Sequence, residues 1–468
     1  MKKNVTVVIL AAGLGTRMKS RKAKVLHQAG GDTLLNHIVR AALRVAEADR
    51  IVAVVGHQAA EVQASVKVPG VRFAVQTEQR GTGHAVLCAR EVAMGEGLLL
   101  ILNGDGPLLR AETLMALVAA AEAATGPEKS GGGAIVTTHL ADPTGYGRII
   151  RNQDGTVAAV IEEKPATPDQ RTIREVNPGL YCFHAGEFWQ HIDEVKPNNP
   201  ANEYYLTDMV EILAQHGHPV RPFPVPDETE LLGINTRVEL ALADKILRTR
   251  KARELMLAGV TIENPGSVTV DVDVEVGMDS VLEANVQLRG RTRVGSGCRI
   301  GTGTVLRDCE IGDDVAILPY VVADDAVIRT NASIGPFSRL RMHADVGEGS
   351  HIGNFVELKK TKFGKGVKAG HLAYLGDSLI GADVNIGAGT ITCNYDGQKK
   401  HQTEIGEGVF VGSNSTLIAP LKIADGAYVA AGSTITSNVE ADALAVGRAR
   451  QVEKPGWAKK RRERRTSS

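Results

Sequence analysis

Over residues 1 to about 237, short aliphatic runs alternate with amphipathic stretches. Residues 5–12, 51–55 and 98–103 are near-continuous runs of Val, Ile, Leu and Ala bounded by glycine or polar residues, the pattern of parallel strands buried on both faces. Residues 34–48 and 111–124 carry apolar side chains at helical spacing. This alternation predicts an α/β domain: a doubly wound, mostly parallel, Rossmann-like sheet with helices on both faces and its ligands beyond the carboxyl ends of the strands. Residues 238–258, charged and rich in Leu and Ala, read as a helical linker.

After Gly259 the pattern changes. An aliphatic residue recurs every six positions, as Ile334, Leu340, Val346, Ile352 and Leu358, and again as Ile405, Val411, Leu417, Ile423, Val429 and Ile435, often followed by glycine (Gly335, Gly347, Gly353, Gly406, Gly412). That period fits neither a helix nor an alternating strand. It fits a coil whose flat faces each use one hexapeptide, the aliphatic residue inward and the small residue at the corner. A β-sandwich would not hold this phase. The prediction is a left-handed parallel β-helix of hexapeptide repeats over 259–468. The period breaks at 390–403, so those residues must leave the coil as a loop, where sites are often built. The basic run 459–465 reads as a solvated, disordered tail.

Composition narrows the class. Apolar residues make up 43% of the 468 but aromatics only 4%, so Val, Ile, Leu and Ala fill the interiors. The net charge of zero gives no reason to expect nucleic acid or an anionic membrane as partner. Cys88, Cys182, Cys298, Cys309 and Cys393 are odd in number and scattered, as reduced thiols would be, without disulfide or zinc spacing. The start runs into a strand without a cleavable apolar segment, and no run reaches the ~18 apolar residues of a membrane span. A cytoplasmic location is expected.

Leu10-Ala-Ala-Gly-Leu-Gly-Thr-Arg-Met18 follows the first strand directly. Its glycines let backbone N–H groups approach a phosphate, and Arg17 and Lys24 add charge to the same anion. No Gly-Lys-Ser/Thr follows, and the third glycine of a dinucleotide fingerprint is missing. A Gly-x-Gly alone is as readily a simple turn. Asn103-Gly-Asp105 ends the strongest apolar run; a strand-end carboxylate there could equally cap a loop.

The whole segment, with Lys-Val-Leu-His at 24–27, resembles the signature of sugar-1-phosphate nucleotidyltransferases, most closely the N-acetylglucosamine-1-phosphate uridylyltransferases. The resemblance implies UTP and UDP-N-acetylglucosamine contacts at Leu10, Ala11, Ala12, Gly13, Arg17, Lys24, Gln76, Gly81, Thr82, Asn103, Gly104, Asp105, Gly147, Glu162, Asn177 and Asn235. Tyr146 and Arg148 flank Gly147 in the same motif. It also implies Mg²⁺ on Asp105 and Asn235, oxygen ligands that suit this ion. Ala23, Gly106 and Pro178 depart from the family pattern; Ala23 stands where proline is common.

The second half resembles the acetyltransferase part of bifunctional members of that family. His371, in Lys368-Ala-Gly-His-Leu-Ala-Tyr-Leu-Gly376, then matches the general base. An imidazole suits removal of an amine proton near neutral pH. Arg341, Lys359, Tyr374, Asn385 and Lys400 match glucosamine 1-phosphate contacts. Ala388, Asn394, Tyr395, Ser413, Ala431 and Arg448 match an acetyl-CoA groove, with the Ala388 N–H as an oxyanion donor. A homotrimer is implied.

The expected activity is therefore acetyl transfer to glucosamine 1-phosphate followed by uridylyl transfer, supplying peptidoglycan and lipopolysaccharide synthesis. Two rivals stand beside it. One is a nucleotidyltransferase whose β-helix serves only assembly, which the His371 cluster disfavours. The other is a non-catalytic regulatory subunit of similar architecture, which need not keep Gly13, Arg17, Lys24 and Asp105.

Overall fold

The computed structural model describes residues 4–124, 131–199 and 202–466. The chain forms two compact units, residues 1–248 and 249–468.

In the first unit a ten-stranded sheet is built from β1 (Val5–Leu10), β2 (Ile51–Val55), β3 (Arg72–Val75), β4 (Leu98–Asn103), β5 (Gly133–His139), β6 (Gly147–Arg151), β7 (Val157–Ile161), β8 (Glu175–Asn177), β9 (Tyr181–His184) and β10 (Val220–Pro224). Its order is β8-β6-β7-β10-β5-β9-β4-β1-β2-β3. The edge β4-β1-β2-β3 is parallel throughout. Beyond β4 the sheet becomes mixed, because β9 returns antiparallel between β4 and β5.

Alternation along β1 and β4 sorts the core. Val5, Val7, Ile9, Leu98, Leu100 and Leu102 meet α1 (Leu34–Ala42) and α3 (Ala111–Glu122). Val8, Leu99 and Ile101 face the other way, with α2 (Thr82–Cys88), α4 (Ala185–His191) and α5 (Asp208–Gln215). Each such side chain contributes roughly 1.5–3 kcal/mol of burial. The expected first helix, 34–48, ends early at Ala42: Val45 and Ala46 both donate to the Ala42 carbonyl, closing it in turns. The first strand likewise stops at Leu10, where Ala11 N–H turns to the Val54 carbonyl at 2.9 Å.

A long helix, α6 (Arg237–Leu257), precedes the second unit's coil. There, three parallel sheets run the length of a left-handed β-helix. Leu282, Ile300, Ile317, Ile334, Ile352, Ala369 and Ile386 register on one another coil by coil. All are buried, as are the remaining aliphatic residues of the six-residue period. Gly353 shows why small residues recur: a Cβ there would lie 1.8 Å from the Gly370 carbonyl oxygen of the next coil. The ladder then skips from Ile386 to Val411, but the loop is shorter than the expected 390–403, because Ile391–Cys393 and Thr403–Ile405 stay in the coil as paired strands and only the residues between them bulge out. The five cysteines are thiols, and burial pushes that of Cys309 up to about 11.

The basic tail departs from expectation. Residues Trp457–Thr466 form a helix, α7. Its run of Ala, Lys, Arg and Glu favours helix, and Arg461 sits 5.3 Å from the centre of the Trp457 ring one turn before it.

Candidate active sites

The turn after β1 forms one wall of a cavity of about 620 Å³. The sequence candidates Leu10, Ala11, Ala12, Gly13, Lys24, Gln76, Gly81, Thr82, Asn103, Asp105 and Glu162 line it. A Cβ on Gly13 would meet nothing within 4 Å, so its missing side chain leaves room for a ligand. Gly15 has the steric role: its φ is 60° and a Cβ would strike Lys24 Cβ at 2.7 Å. Lys24 thus packs beneath the turn.

The charged end of the cavity is assembled from three distant segments. Ile234 N–H donates to the Asp105 carbonyl at 2.9 Å, bringing Asn235 beside Asp105. Lys24 Nζ bridges them, paired with Asp105 Oδ2 and 3.2 Å from Asn235 Oδ1. Arg17 Nη2 donates to the same Asn235 oxygen at 2.8 Å. Asn235 is itself fixed by a capping box: Thr236 N–H donates to Glu239 Oε2 at 2.7 Å, Glu239 N–H returns to Thr236 Oγ1 at 3.3 Å, and Asn235 N–H also donates to Glu239. Thr-x-x-Glu before a helix is a legible start signal that sequence reasoning passed over.

Elsewhere several predicted residues support the cavity from behind. Gln76 donates to the Gly81 carbonyl and to His84, leaving its amide oxygen for a ligand. Thr82 Oγ1 accepts from Leu206 N–H at 3.1 Å. Gly104 N–H donates to the Leu10 carbonyl. Asn177 is buried and committed to Tyr181 and Gly179, while the Pro178 carbonyl accepts from Asn103 at 3.1 Å. Arg148, 2% exposed, pairs with Glu163 at 2.7 Å and braces the turn before Gly147. Ala23 holds φ −56°, which proline would also adopt, and its N–H donates to Gln58 Oε1 at 2.6 Å, a bond proline cannot make.

Gln79, Lys164, Glu203 and Tyr205 also line the cavity; they sit on loops without sequence periodicity. Burial raises the Glu162 pKa, against a 3.5 Å bond from Thr207. Next to Thr207, burial and then Glu211 push Asp208 up to about 6.

In the second unit, Lys359, Lys360, Asp377 and Lys400 line a cavity of about 410 Å³. Buried Lys359 donates to Asp377 Oδ2 at 2.9 Å, and Lys360 Nζ lies 4.0 Å from Oδ1. Lys359 lowers the pKa of Lys400 by hydrogen bond and charge. Two lysines therefore pair with one carboxylate while a third stands against Lys359, an excess of positive charge that favours an added anion. Arg341 stands nearby, bonded to Glu357 at 2.7 Å.

His371 ends its strand exposed, with Nδ1 2.6 Å from Asn354 Oδ1 one coil earlier. An amide oxygen only accepts, so Nδ1 is the donating nitrogen, and in the neutral ring Nε2 is the one left to act as a base. His371 and Asn385 lie on one face of the coil, and Arg341, Lys359 and Tyr374 on the next. Ala388, Ser413 and Ala431 follow coil by coil along one corner: Asn414 N–H donates to the Ala388 carbonyl and Gly432 N–H to that of Ser413, each at 2.7 Å. Arg448 packs 3.7 Å from the position of a Cβ on Gly432. In the expelled loop, Tyr395 is exposed, whereas Asn394 is buried and donates to Asp377.

A glycine turn after β1 beside a strand-end carboxylate, and a hexapeptide coil carrying an oriented histidine, are the features of a nucleotidyltransferase fused to an acyltransferase. A MobA-like NTP transferase domain matches residues 7–234, and the bacterial transferase hexapeptide pattern of six repeats matches 402–437. The chain is 56% identical to the bifunctional protein GlmU of Solibacter usitatus (strain Ellin6076), covering 99% of this chain and 98% of that one. The GlmU proteins of Anaeromyxobacter sp. (strain Fw109-5) and Streptococcus agalactiae serotype III (strain NEM316) are 54% and 45% identical, over 98% and 97% of this chain and 93% and 97% of theirs. The chain belongs to the GlmU family and is a bifunctional nucleotidyltransferase and acetyltransferase enzyme.

Proposed function

We propose that the second unit transfers acetyl from acetyl-CoA to glucosamine 1-phosphate, and that the first couples the product to UTP. Uridylyl transfer gives UDP-N-acetylglucosamine and pyrophosphate, feeding peptidoglycan and lipopolysaccharide synthesis in the cytoplasm. The observation that carries this reading is that each unit has its own anion-directed cluster, Lys24 on Asp105 and Asn235 in one, and in the other Lys359 and Lys360 on Asp377 with Lys400 lining the same cavity.

For uridylyl transfer, the Leu10–Gly13 backbone with Arg17 and Lys24 binds the UTP phosphates. Gln76, Gly81 and Thr82 receive uracil, and Gly147 and Glu162 receive the sugar with Asn177 behind them. The sugar phosphate oxygen attacks the α-phosphorus as pyrophosphate leaves, so both reactants are anions and need cations in place. Asp105 and Asn235 fit Mg²⁺: their oxygens already converge on one cation, the Lys24 ammonium, and oxygen-only donors suit a hard ion. When bound there, Mg²⁺ supplies charge neutralisation between the two anions.

For acetyl transfer, Arg341, Lys359 and Lys400 bind the sugar phosphate, with Tyr374 and Asn385 on the sugar. His371 Nε2 takes the amine proton as nitrogen attacks the thioester. Ala388, Asn394, Tyr395, Ser413, Ala431 and Arg448 form the acetyl-CoA groove.

A homotrimer is supported by one corner of the coil. Tyr320, Phe337, Phe355 and Leu372 occupy it in successive coils, each about half exposed or more, at φ 50–62°. The three rings stack 5.3 and 5.4 Å apart. Left-handed backbone costs bulky residues roughly 1–2 kcal/mol each, and an exposed apolar stripe marks a contact surface.

The test incubates the chain with glucosamine 1-phosphate, acetyl-CoA, UTP and Mg²⁺, following CoA and pyrophosphate separately. CoA should appear first, and supplied N-acetylglucosamine 1-phosphate should bypass that step. Pyrophosphate release without any CoA release from glucosamine 1-phosphate would favour the assembly-only coil.

A further inference from the structure

Away from the nucleotide cavity, three histidines and two glutamates meet near the opposite end of the central strands. The cavity lies beyond Asn103, the last residue of β4, whereas α4 begins where β9 ends, and His184 of β9 pairs with Leu98, the first residue of β4. α5 spans the distance: its start adjoins Thr207 and Glu162, and it ends at His216. On α4, Glu187 and His191 are one turn apart on the same face, and Glu194 follows at the next turn. His216 and His218 flank Gly217, whose φ of 82° reverses the chain between them.

The donor atoms already face one another. His218 Nε2 lies 3.1 Å from Glu187 Oε2, and His191 Nδ1 lies 2.6 Å from Glu194 Oε1. His216 Nε2 lies 3.0 Å from Glu194 Oε2, and its ring stacks on His191 with centroids 3.8 Å apart. Ligand atoms of Glu187, His191 and His218 all lie within 4.8 Å of one another. Side-chain rotations close that gap to the spacing of a tetrahedral shell with bonds of about 2.0–2.2 Å.

We propose that Glu187, His191 and His218 form a second metal site, for a divalent transition ion such as Zn²⁺, with Glu194 as the outer carboxylate on His191. Two imidazoles and a carboxylate favour this class of ion over Mg²⁺. A metal-bound histidine commonly donates its other ring N–H to a carboxylate, and the His191–Glu194 bond provides that, leaving Nε2 as the ligand nitrogen. His191 is 9% exposed and forms the floor, while Glu187 at 26% and His218 at 17% leave an open rim for entry and a water ligand. Binding displaces any proton on the ligating nitrogens. The ion would clip α4 to the turn between α5 and β10, fixing the far end of the helix that starts beside Glu162.

Titration of the untagged full-length chain with Zn²⁺ tests this, with Co²⁺ as the spectroscopic probe. One equivalent should bind per chain and raise Tm, and Co²⁺ should give the intense visible absorption of a tetrahedral site. His218→Ala and the isosteric Glu187→Gln should each weaken Zn²⁺ binding at least tenfold, with Mg²⁺-dependent uridylyl transfer unchanged as the check on folding. Asp105→Ala should leave Zn²⁺ binding intact. Binding that Asp105→Ala abolishes, or that neither His218→Ala nor Glu187→Gln weakens, would overturn the assignment.

Discussion

His371 and Asn354 stand one coil apart and are joined by a 2.6 Å hydrogen bond from ring Nδ1 to the amide oxygen. The bond sets the tautomer that a base requires. Replacing His371 by Ala should lower acetyl-transfer kcat by roughly 10²–10⁴-fold, with acetyl-CoA binding and uridylyl transfer retained. Asn354→Ala should cost less and alter the pH profile, because the ring is released but present. Near-normal acetyl transfer in a folded His371→Ala chain would remove the histidine from the mechanism.

The two activities should separate on Asp105. It is bonded to Lys24 within the first unit, so Asp105→Ala should eliminate uridylyl transfer and spare acetylation. Loss of both in a folded variant would refute separate sites.

Uridylyl transfer should also stop in EDTA and return with Mg²⁺, because Asp105 and Asn235 offer only oxygen to the ion. Full activity in a metal-free preparation would contradict this.

Gly376 allows a close approach that its neighbours use. A Cβ there would lie 2.5 Å from the Tyr374 hydroxyl and 2.7 Å from Asn394 Nδ2. Both are side-chain ends, so Gly376→Ala should fold while displacing them. Acetyl transfer should fall by about 10²-fold, the scale of a 1 Å misplacement, with uridylyl transfer unchanged. Equal loss of both activities would point to general destabilisation instead.

Asp208 should make stability depend on pH. Its carboxyl is pushed from 3.8 to about 6, by burial first and Glu211 second. The folded chain therefore holds this proton more tightly than the unfolded one. The resulting stability is fully present below about pH 4 and is lost as pH rises through 6. Asp208→Asn should stabilise the chain at pH 7.5 by on the order of 1 kcal/mol, the 1.36 kcal/mol per pKa unit being discounted for solvent screening of this half-buried group, and by little near pH 4. Thermal melts at both values would check this, and an equal gain at both would exclude the titration.

Periodicity exposed the architecture because one physical rule repeats. Each inward aliphatic residue of the coil meets its equivalent in the next coil, so the six-residue phase survives in Ile334 through Leu358. The cavity was partly legible for a related reason: the turn after β1 and Asp105 after β4 are fixed by neighbouring parallel strands. Glu203, Tyr205 and Gln79 were not, since only tertiary packing brings their loops to the cavity. Asn354 was missed because its partner lies a whole coil away, where no local pattern points to it. The tail was misjudged because charge was read as disorder, although its residues are strong helix formers.

The capping box at Thr236 and Glu239 ties the sheet's site to the helix that follows it. Asn235 is held by Glu239, a residue of the first turn of α6. Every strand of the sheet is complete by Pro224, yet Asn235 is positioned by the helix that follows the sheet. On the proposed role of Asn235 in holding the metal, uridylyl transfer therefore depends on the first turn of α6 as well as on the sheet.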